Sequence, residues 1–434
     1  MASNLRVDQI LPTVGTNVAI GTATGTVTLA GTTSGTFTGN LTGTASTATA
    51  AATAYGLSGS PTLSGITSVS TTNLTVNGNA YPSAGPLSNR NLVHNGAMTV
   101  SQRTTSSSSL TSGNNFILDR WRTYIQDIGT YTISQASDAP TGFRYSYKVD
   151  CIIADASPSA ADDMVFSCPF EGQDFQHLKK GTASAESVTL SFWVKSNKTT
   201  TGQVNFRDQD NSRMISGTYT INSADTWEYK TITFVGDTSG TLDNDNAASI
   251  SLQWYLDSGS NFTSGSINSS WGSDTAANRN VNNFGLASST DNYWQITGVQ
   301  LEVGSVATPF EHRSYGDELS RCERYYEVMR AHSYVTPGVS NTTTSARASV
   351  RFRTVKRASP GTITLASAGQ SAGLMSFLTP ALGYPTTTGT NSVNDITTDS
   401  FVIAGASYSG LVDDSFSMLY IEGNNIFARV DAEL

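Results

Sequence analysis

From residue 91 onward, apolar and polar positions mostly alternate with a period of two. In Ser187–Val194 the residues Val188, Leu190, Phe192 and Val194 fall on one face, and Trp193 falls on the other with Thr189 and Ser191. Ile250, Leu252, Trp254 and Leu256 form a second inward set and leave Tyr255 on the opposite face. Trp227–Val235 and Tyr293–Val303 complete a group of long strands, joined by loops rich in Gly, Ser, Asn and Asp. Antiparallel sheets with one wet face produce this alternation. Several such strands over 91–313 predict a β-sandwich of the jelly-roll type.

The period changes once. Ser314 followed by Asp317 fits a capping box. Leu319, Cys322, Tyr325 or Tyr326, and Met329 then recur at spacings of three and four. This predicts a linking helix over 314–336, stopped by Pro337-Gly338. Its narrow apolar stripe suits packing near the axis of an oligomer. From 337 to 434 the pattern is again β, as a small terminal domain. Ala348, Val350 and Phe352 alternate with Ser349, Arg351 and Arg353, and Ile363 and Leu365 follow Pro360-Gly361. Phe416, Met418 and Tyr420 alternate, Glu422–Asn425 reads as a turn, and Ile426, Ala428 and Val430 run back, which predicts a terminal hairpin. Residues 366–400, with Phe377, Leu378 and Tyr384, read as long exposed loops, where binding residues often sit.

Residues 1–90 differ in kind. Arg6 and Asp8 are the only charged residues before Arg90, and Gly35, Gly39 and Gly43 recur at a spacing of four. Thr26–Leu29 and Asn73–Val76 read as short strands, the second followed by the turn signal Asn77-Gly78. The Ala-rich piece 43–56 reads as a short helix or a joint. Such a segment buries too little apolar surface to fold alone. It is either disordered or wound together with identical copies; β-branched Thr and Val and regular Gly favour the second. That makes 25–90 a fibrous β shaft and the chain an oligomer, most simply a homotrimer.

Composition narrows the partners. Only 14% of the 434 residues are charged, against roughly 25% in average chains, and the net charge is −9. An acidic chain repels phosphate backbones and anionic membrane surfaces, so nucleic-acid binding is not expected. No stretch approaches the roughly 18 apolar residues of a span, so membrane insertion is not expected either. The N-terminus lacks the pattern of a signal peptide, which implies synthesis in a cytosol. Cys151, Cys168 and Cys322 have no short spacing; Cys151 and Cys168 could pair if the fold brings them together, and buried free thiols are the plainer reading.

Certain residues carry a resemblance. Asn91–Met98, Gln102-Arg103 and Asp119-Arg120-Trp121 are similar to the opening of a β-domain in tail fibre proteins of tailed bacteriophages. Trp294–Gly304, Thr308–Glu311 and Glu318–Glu327 resemble its close, Ser34–Ser46 resembles fibre-shaft segments, and Lys356–Pro360 with Asp431–Leu434 resembles the terminal domain. The resemblance implies a homotrimeric fibre on the virion, assembled in the host cytoplasm. Residues 1–24 would join a tail or baseplate protein, and the distal domains would meet host cell-surface polysaccharide. The jelly roll also resembles carbohydrate-binding modules, which stack surface aromatics on sugar rings.

The candidate chemistry is modest. Asp162-Asp163, Asp208-x-Asp210 and Asp413-Asp414 supply carboxylates of the kind glycosidases pair, but in turn-like contexts that read as solvated loop acids. Asp208 and Asp210 begin like a calcium loop without its later Gly and Glu. The four histidines lack ligand spacing, no nucleophile elbow or phosphate loop is present, and no cofactor is expected. Aromatic residues are the better lead. Trp271 in a polar loop, Tyr255 and Trp193 on the outer faces of their strands, and Tyr384 in the long loop are the candidate sugar-stacking residues. The expected function is glycan recognition without catalysis. A glycan-degrading virion enzyme and a spacer fibre that binds nothing are the competing expectations.

Overall fold

The computed structural model describes residues 74–76, 79–81, 89–365, 375–379 and 389–434, all within one compact unit, Ser70–Leu434. The expectations for 1–24, most of the shaft and the 43–56 piece lie outside the described residues. Two short strands, β1 (Leu74–Val76) and β2 (Asn79–Tyr81), pair antiparallel with Val76 opposite Asn79. The protein is mainly β, as the alternation predicts.

The sandwich is built from β3 (Ser106–Asn115), β4 (Arg122–Ala136), β5 (Ser146–Ile153), β6 (Asp163–Glu171), β7 (Val188–Ser196), β8 (Thr201–Asp208), β9 (Arg213–Thr220), β10 (Glu228–Phe234), β11 (Ala248–Ser258), β12 (Gly272–Ser273) and β13 (Tyr293–Val303). Their order is β10-β7-β13-β5-β4-β6-β11-β8-β9-β12, with β3 along β4. The long strand β4 joins the two layers: Arg122–Gln126 pair with β6 and Thr130–Ala136 pair with β5. Asp127 and Gly129, at φ of 50° and 61°, make the bend between these halves. Between the layers lies an aromatic core. Trp121 stacks on Phe166 at 4.7 Å, Phe192 meets Trp254 edge-on at 5.6 Å, and the Trp294 indole donates to Tyr219 Oη at 3.1 Å. Each such ring contributes roughly 1.5–3 kcal/mol by leaving water. The inward sets of β7 and β11 expected from the pattern are all buried.

The opening motif is the clasp that closes this sandwich. Asn91 Oδ1 accepts the Val93 and Leu301 N–H groups, and its Nδ2 donates to Val299 O. Asn95, buried and at φ 56°, donates from Nδ2 to Val100 O and Asp119 O and accepts the Val100 N–H through Oδ1. Gly96 lies so close to β13 that a Cβ there would fall 2.1 Å from Val299 O. These residues are occupied by folding.

The terminal β-domain comprises β14 (Tyr326–Ser340), β15 (Ala346–Arg351), β16 (Thr362–Leu365), β17 (Met375–Leu378), β18 (Thr390–Asn394), β19 (Ser400–Ala406) and β20 (Ser415–Asp431). They form one sheet in the order β16-β20-β14-β15-β19-β18, with β17 on β20, over a separate core that includes Phe352, Phe377, Phe401, Leu419 and Val430.

Several expectations change here. The helix covers only Tyr315–Glu323, with Ser314 Oγ accepting the Asp317 N–H at 3.2 Å as the capping box predicts. Beyond it the β-favouring run of Tyr, Val and Thr is strand, and Pro337-Gly338 lies inside β14. Tyr325, Tyr326 and Met329 therefore do not continue a helical stripe. The terminal hairpin is also corrected: β20 is one strand of 17 residues, and its register with β14 shifts after Met329, His332 and Tyr334. The glycine signal at Glu422–Asn425 marks an irregular ladder instead of a reversal. Phe377 is fully buried in β17, so it is not loop. Asp162 and Asp163 are only 8% and 6% exposed, so they are not solvated turn acids. The three cysteines are free and buried.

Polar ties join the two cores. Arg120, 1% exposed, donates to Glu433 Oε2 at 2.6 Å and Pro169 O at 2.5 Å, and lies 3.5 Å from the Tyr325 ring centroid. Arg324 holds Glu171 through two bonds of 2.7 Å, and Tyr325 Oη donates to the same carboxylate at 2.6 Å.

Candidate functional site

The layer β10-β7-β13-β5 turns its aliphatic residues inward and a row of rings outward. Tyr229 on β10 lies opposite Trp193 on β7, with ring centroids 5.4 Å apart. Beside Trp193, Gly298 on β13 takes φ +62° where the register shifts between Thr297 and Gln300. A Cβ at Gly298 would fall 2.7 Å from Phe143 Cζ and 3.1 Å from Trp193 Cδ1, so both rings close over bare backbone. Phe143, from the loop after β4, continues the row to Phe310 at 5.0 Å and His312 at 5.3 Å. Tyr229 is 44% exposed, His312 is exposed, and Phe143, Trp193 and Phe310 are half-buried. Burial in the core does not account for these rings.

Next to the rings runs a band of hydrogen-bonding groups. Asp138 reaches over from the same loop as Phe143. Lys195 Nζ donates to its Oδ2 at 2.9 Å and Trp227 Nε1 to its Oδ1 at 3.2 Å. Burial alone would raise the Asp138 pKa, but the bonds from Lys195 and Trp227 outweigh it and hold the carboxyl below its usual range. Gln295, opposite Lys195 and Lys148, is buried, and its Oε1 has no hydrogen-bond partner among the described residues. Tyr293 donates to Asp225 at 2.5 Å, and Lys148 lies 5.1 Å from its ring. Burial, then the Asp225 charge, pushes the Tyr293 phenol up, so it stays a neutral donor. Flat apolar rings beside charged and amide groups can hold a sugar ring by its face and its hydroxyls at once.

Of the residues chosen from sequence, Trp193 belongs to this row. Trp271 and Tyr255 go elsewhere. Trp271 is used by its own fold: its Nε1 donates to Val235 O at 2.7 Å, Phe206 meets its ring edge-on at 5.7 Å, and Lys180 Nζ lies 5.1 Å from the ring centroid. Tyr255 does face away from the core, but the segment after β11 covers it. It is 4% exposed, Phe262 lies 6.1 Å away, and burial pushes its phenol up to about 12. Tyr384 lies outside the described residues. Asp208 is fully buried and tied to Lys180 and to Asn211 at 3.0 Å, so its charge is met without calcium. Asp210 accepts the Asp243 N–H at 2.9 Å and pins a loop. Among the described residues no cluster of acidic, Cys and His side chains could hold a metal ion.

Sequence reasoning missed Tyr229, Trp227, Phe143, Phe310, His312, Asp138, Lys195 and Gln295. Tyr229 and Trp193 do stand on the polar phase of their strands, a usable signal. The contribution of Phe143 depends on a loop path and on the bulge at Gly298, which no local pattern announces.

No family model matches this sequence, and no curated protein matches it. Solved structures that resemble it in part include the enzymatically active domain of tailspike protein 4 of bacteriophage CBA120, at 15% identity and TM-score 0.26, covering 49% of this chain and 21% of that one. A family 11 carbohydrate-binding module from Clostridium thermocellum, in complex with a mixed-linked tetrasaccharide, is 12% identical at TM-score 0.24, covering 48% of this chain and all of its own. The xylan-binding domain CBM22-1 from Paenibacillus barcinonensis is 10% identical at TM-score 0.22, covering 52% of this chain and 98% of its own. The function is therefore argued from the chain's own geometry.

Proposed function

We propose that this protein binds saccharide on the outer face of the β10-β7-β13-β5 layer and performs no catalysis there. The observation that carries the proposal is the row from Tyr229 through Trp193 and Phe143 to Phe310: rings held outward in fixed register, beside the Lys195–Asp138 ion pair and the Gln295 amide, whose Oε1 has no hydrogen-bond partner among the described residues. Stacking on the rings supplies affinity, and Lys195, Asp138 and Gln295 select hydroxyl geometry. A general acid would need a raised carboxyl pKa, whereas Asp138 is held ionised by Lys195 and Trp227.

In the wider reading the chain is a structural component of a phage virion, a homotrimeric tail fibre. Residues 1–24 join a tail or baseplate protein, and the sandwich meets host cell-surface polysaccharide during adsorption. This part rests on the sequence motifs and on the low-charge N-terminal segment. The binding claim is tested by a glycan array probed with the full chain and with Tyr229→Ala. Binding by the wild type that Tyr229→Ala reduces supports it; an array that is blank, or equal for both proteins, defeats it. Light scattering of the full chain tests the trimer, and a monomer mass would remove it.

A further inference from the structure

The terminal domain holds a cavity that the ring row leaves unexplained. β14 and β15 pair only where Gly338–Ser340 face Ala346–Ala348. Below that short ladder the strands part. Thr336 Oγ1 bridges the gap at one end by donating to Ser349 O at 2.9 Å. At the other end the buried Glu327 carboxylate accepts the Arg353 N–H at 3.3 Å. Between the bridges lies a slot of about 670 Å3. Met329, Val350 and Phe427, all nearly fully buried, supply its apolar lining. Arg330, Arg351 and Tyr334 line it as exposed residues.

The charges decide what the slot accepts. Arg353 is already paired with Glu323 at 3.1 Å. Arg330 and Arg351 have no ion-pair partner among the described residues. In a chain of net charge −9, two arginines without an ion-pair partner among the described residues line one cavity. Guanidinium matches carboxylate and phosphate with two parallel N–H bonds. The volume falls within the roughly 300–1,000 Å3 typical of ligand sites. Because both ends are bridged, a compact group fits and a continuous inserted strand does not.

We propose that the β14–β15 slot binds a compact group bearing an oxyanion, carboxylate or phosphate, on an apolar-faced body such as a sugar ring. Arg330 and Arg351 clamp the anion, and Met329 and Phe427 receive the body. The site is separate from the ring row and does not depend on it.

Calorimetric titration of the full chain with methyl glucuronide, glucose 6-phosphate and uncharged methyl glucoside tests this. At least one anion should bind while the glucoside does not; the anion that binds assigns carboxylate or phosphate as the source. The double variant Arg330→Gln, Arg351→Gln should weaken binding tenfold or more. Both arginines are exposed, so its melting temperature should match the wild type. Raising the salt concentration should weaken binding to the unaltered chain, since screening acts on exposed charges. Trp193→Ala should leave the anion affinity unchanged. Silence with both anions, an affinity indifferent to the double variant or to salt, or a parallel loss in Trp193→Ala would overturn the proposal.

Discussion

Replacing Glu433 by Ala should uncouple the terminal domain from the sandwich. Glu433 lies 2.6 Å from Arg120 and 3.4 Å from Arg103. Arg120 is the critical partner, because it is 1% exposed and cannot turn to water when its carboxylate disappears. Burial alone would lower the Arg120 pKa; Glu433 reverses that and holds it above its ordinary value. Breaking a buried pair by removing one member costs about 3–5 kcal/mol, since an uncompensated charge is left behind. Pro169 O and the Tyr325 ring remain to Arg120, which places the expected loss near 3 kcal/mol. Urea unfolding read by two probes makes the test specific. All six tryptophans lie between Trp121 and Trp294, so their fluorescence follows the sandwich, whereas far-ultraviolet dichroism follows the whole chain. The wild-type transitions should coincide; in Glu433→Ala the dichroism should start to fall at lower urea. Arg120→Met combined with Glu433→Leu should recover much of the loss. A loss below about 1 kcal/mol for Glu433→Ala, with the probes still coincident, would refute the reasoning.

Other consequences follow from single residues. Tyr255→Ala should cost about 3 kcal/mol, as truncating a buried aromatic side chain does, and should leave saccharide binding unchanged. Unfolding curves and a binding titration on the same sample check both halves. Gly298→Ala should destabilise by roughly 1–2 kcal/mol, because φ is +62° there, and should weaken saccharide binding by displacing Phe143 and Trp193. Asp119 and Asp163 are both raised to about 6, chiefly by burial, so their contribution to stability is complete below about pH 4 and is lost as pH rises through 6. Glu228, where bonds from Lys230 and from Ser223 and Asn222 overcome burial to reach about 2, acts oppositely and loses its contribution at low pH. The melting temperature should therefore peak near about pH 4, and Asp163→Asn should raise it at pH 7 but not below about pH 4.

The sandwich was legible because a wet face and a dry face leave a two-residue period. Val188, Leu190, Phe192 and Val194 are buried as that period requires, and β13 runs from Tyr293 to Val303 as expected. The terminal domain was less legible. Tyr325, Tyr326 and Met329 satisfy both helical and strand spacing; pairing with β20 settles Tyr326 and Met329 as strand, and Tyr325 lies in the turn before it. Gly423 and its neighbours signal a turn, yet strand β14 opposite keeps β20 running. The site shows the same division. Trp193 could be chosen from strand phase alone. Tyr255 has the same phase and is lost to the site, because whether an outer face is open depends on what distant loops cover it. The clasp at Asn91 and Asn95 was visible as a motif, but its role needed the contact with β13.

The central claim is that the outward rings hold a saccharide. Its most direct test is a calorimetric titration of a polysaccharide that the glycan array identifies against the full chain and against Trp193→Ala. Trp193 is half-buried on the outer face, so its loss should spare the core while removing a ring worth about 1–3 kcal/mol of contact. The account predicts saturable binding by the wild type, and an affinity for Trp193→Ala lower by about tenfold or more at an unchanged melting temperature. Equal affinities for the two proteins would contradict it.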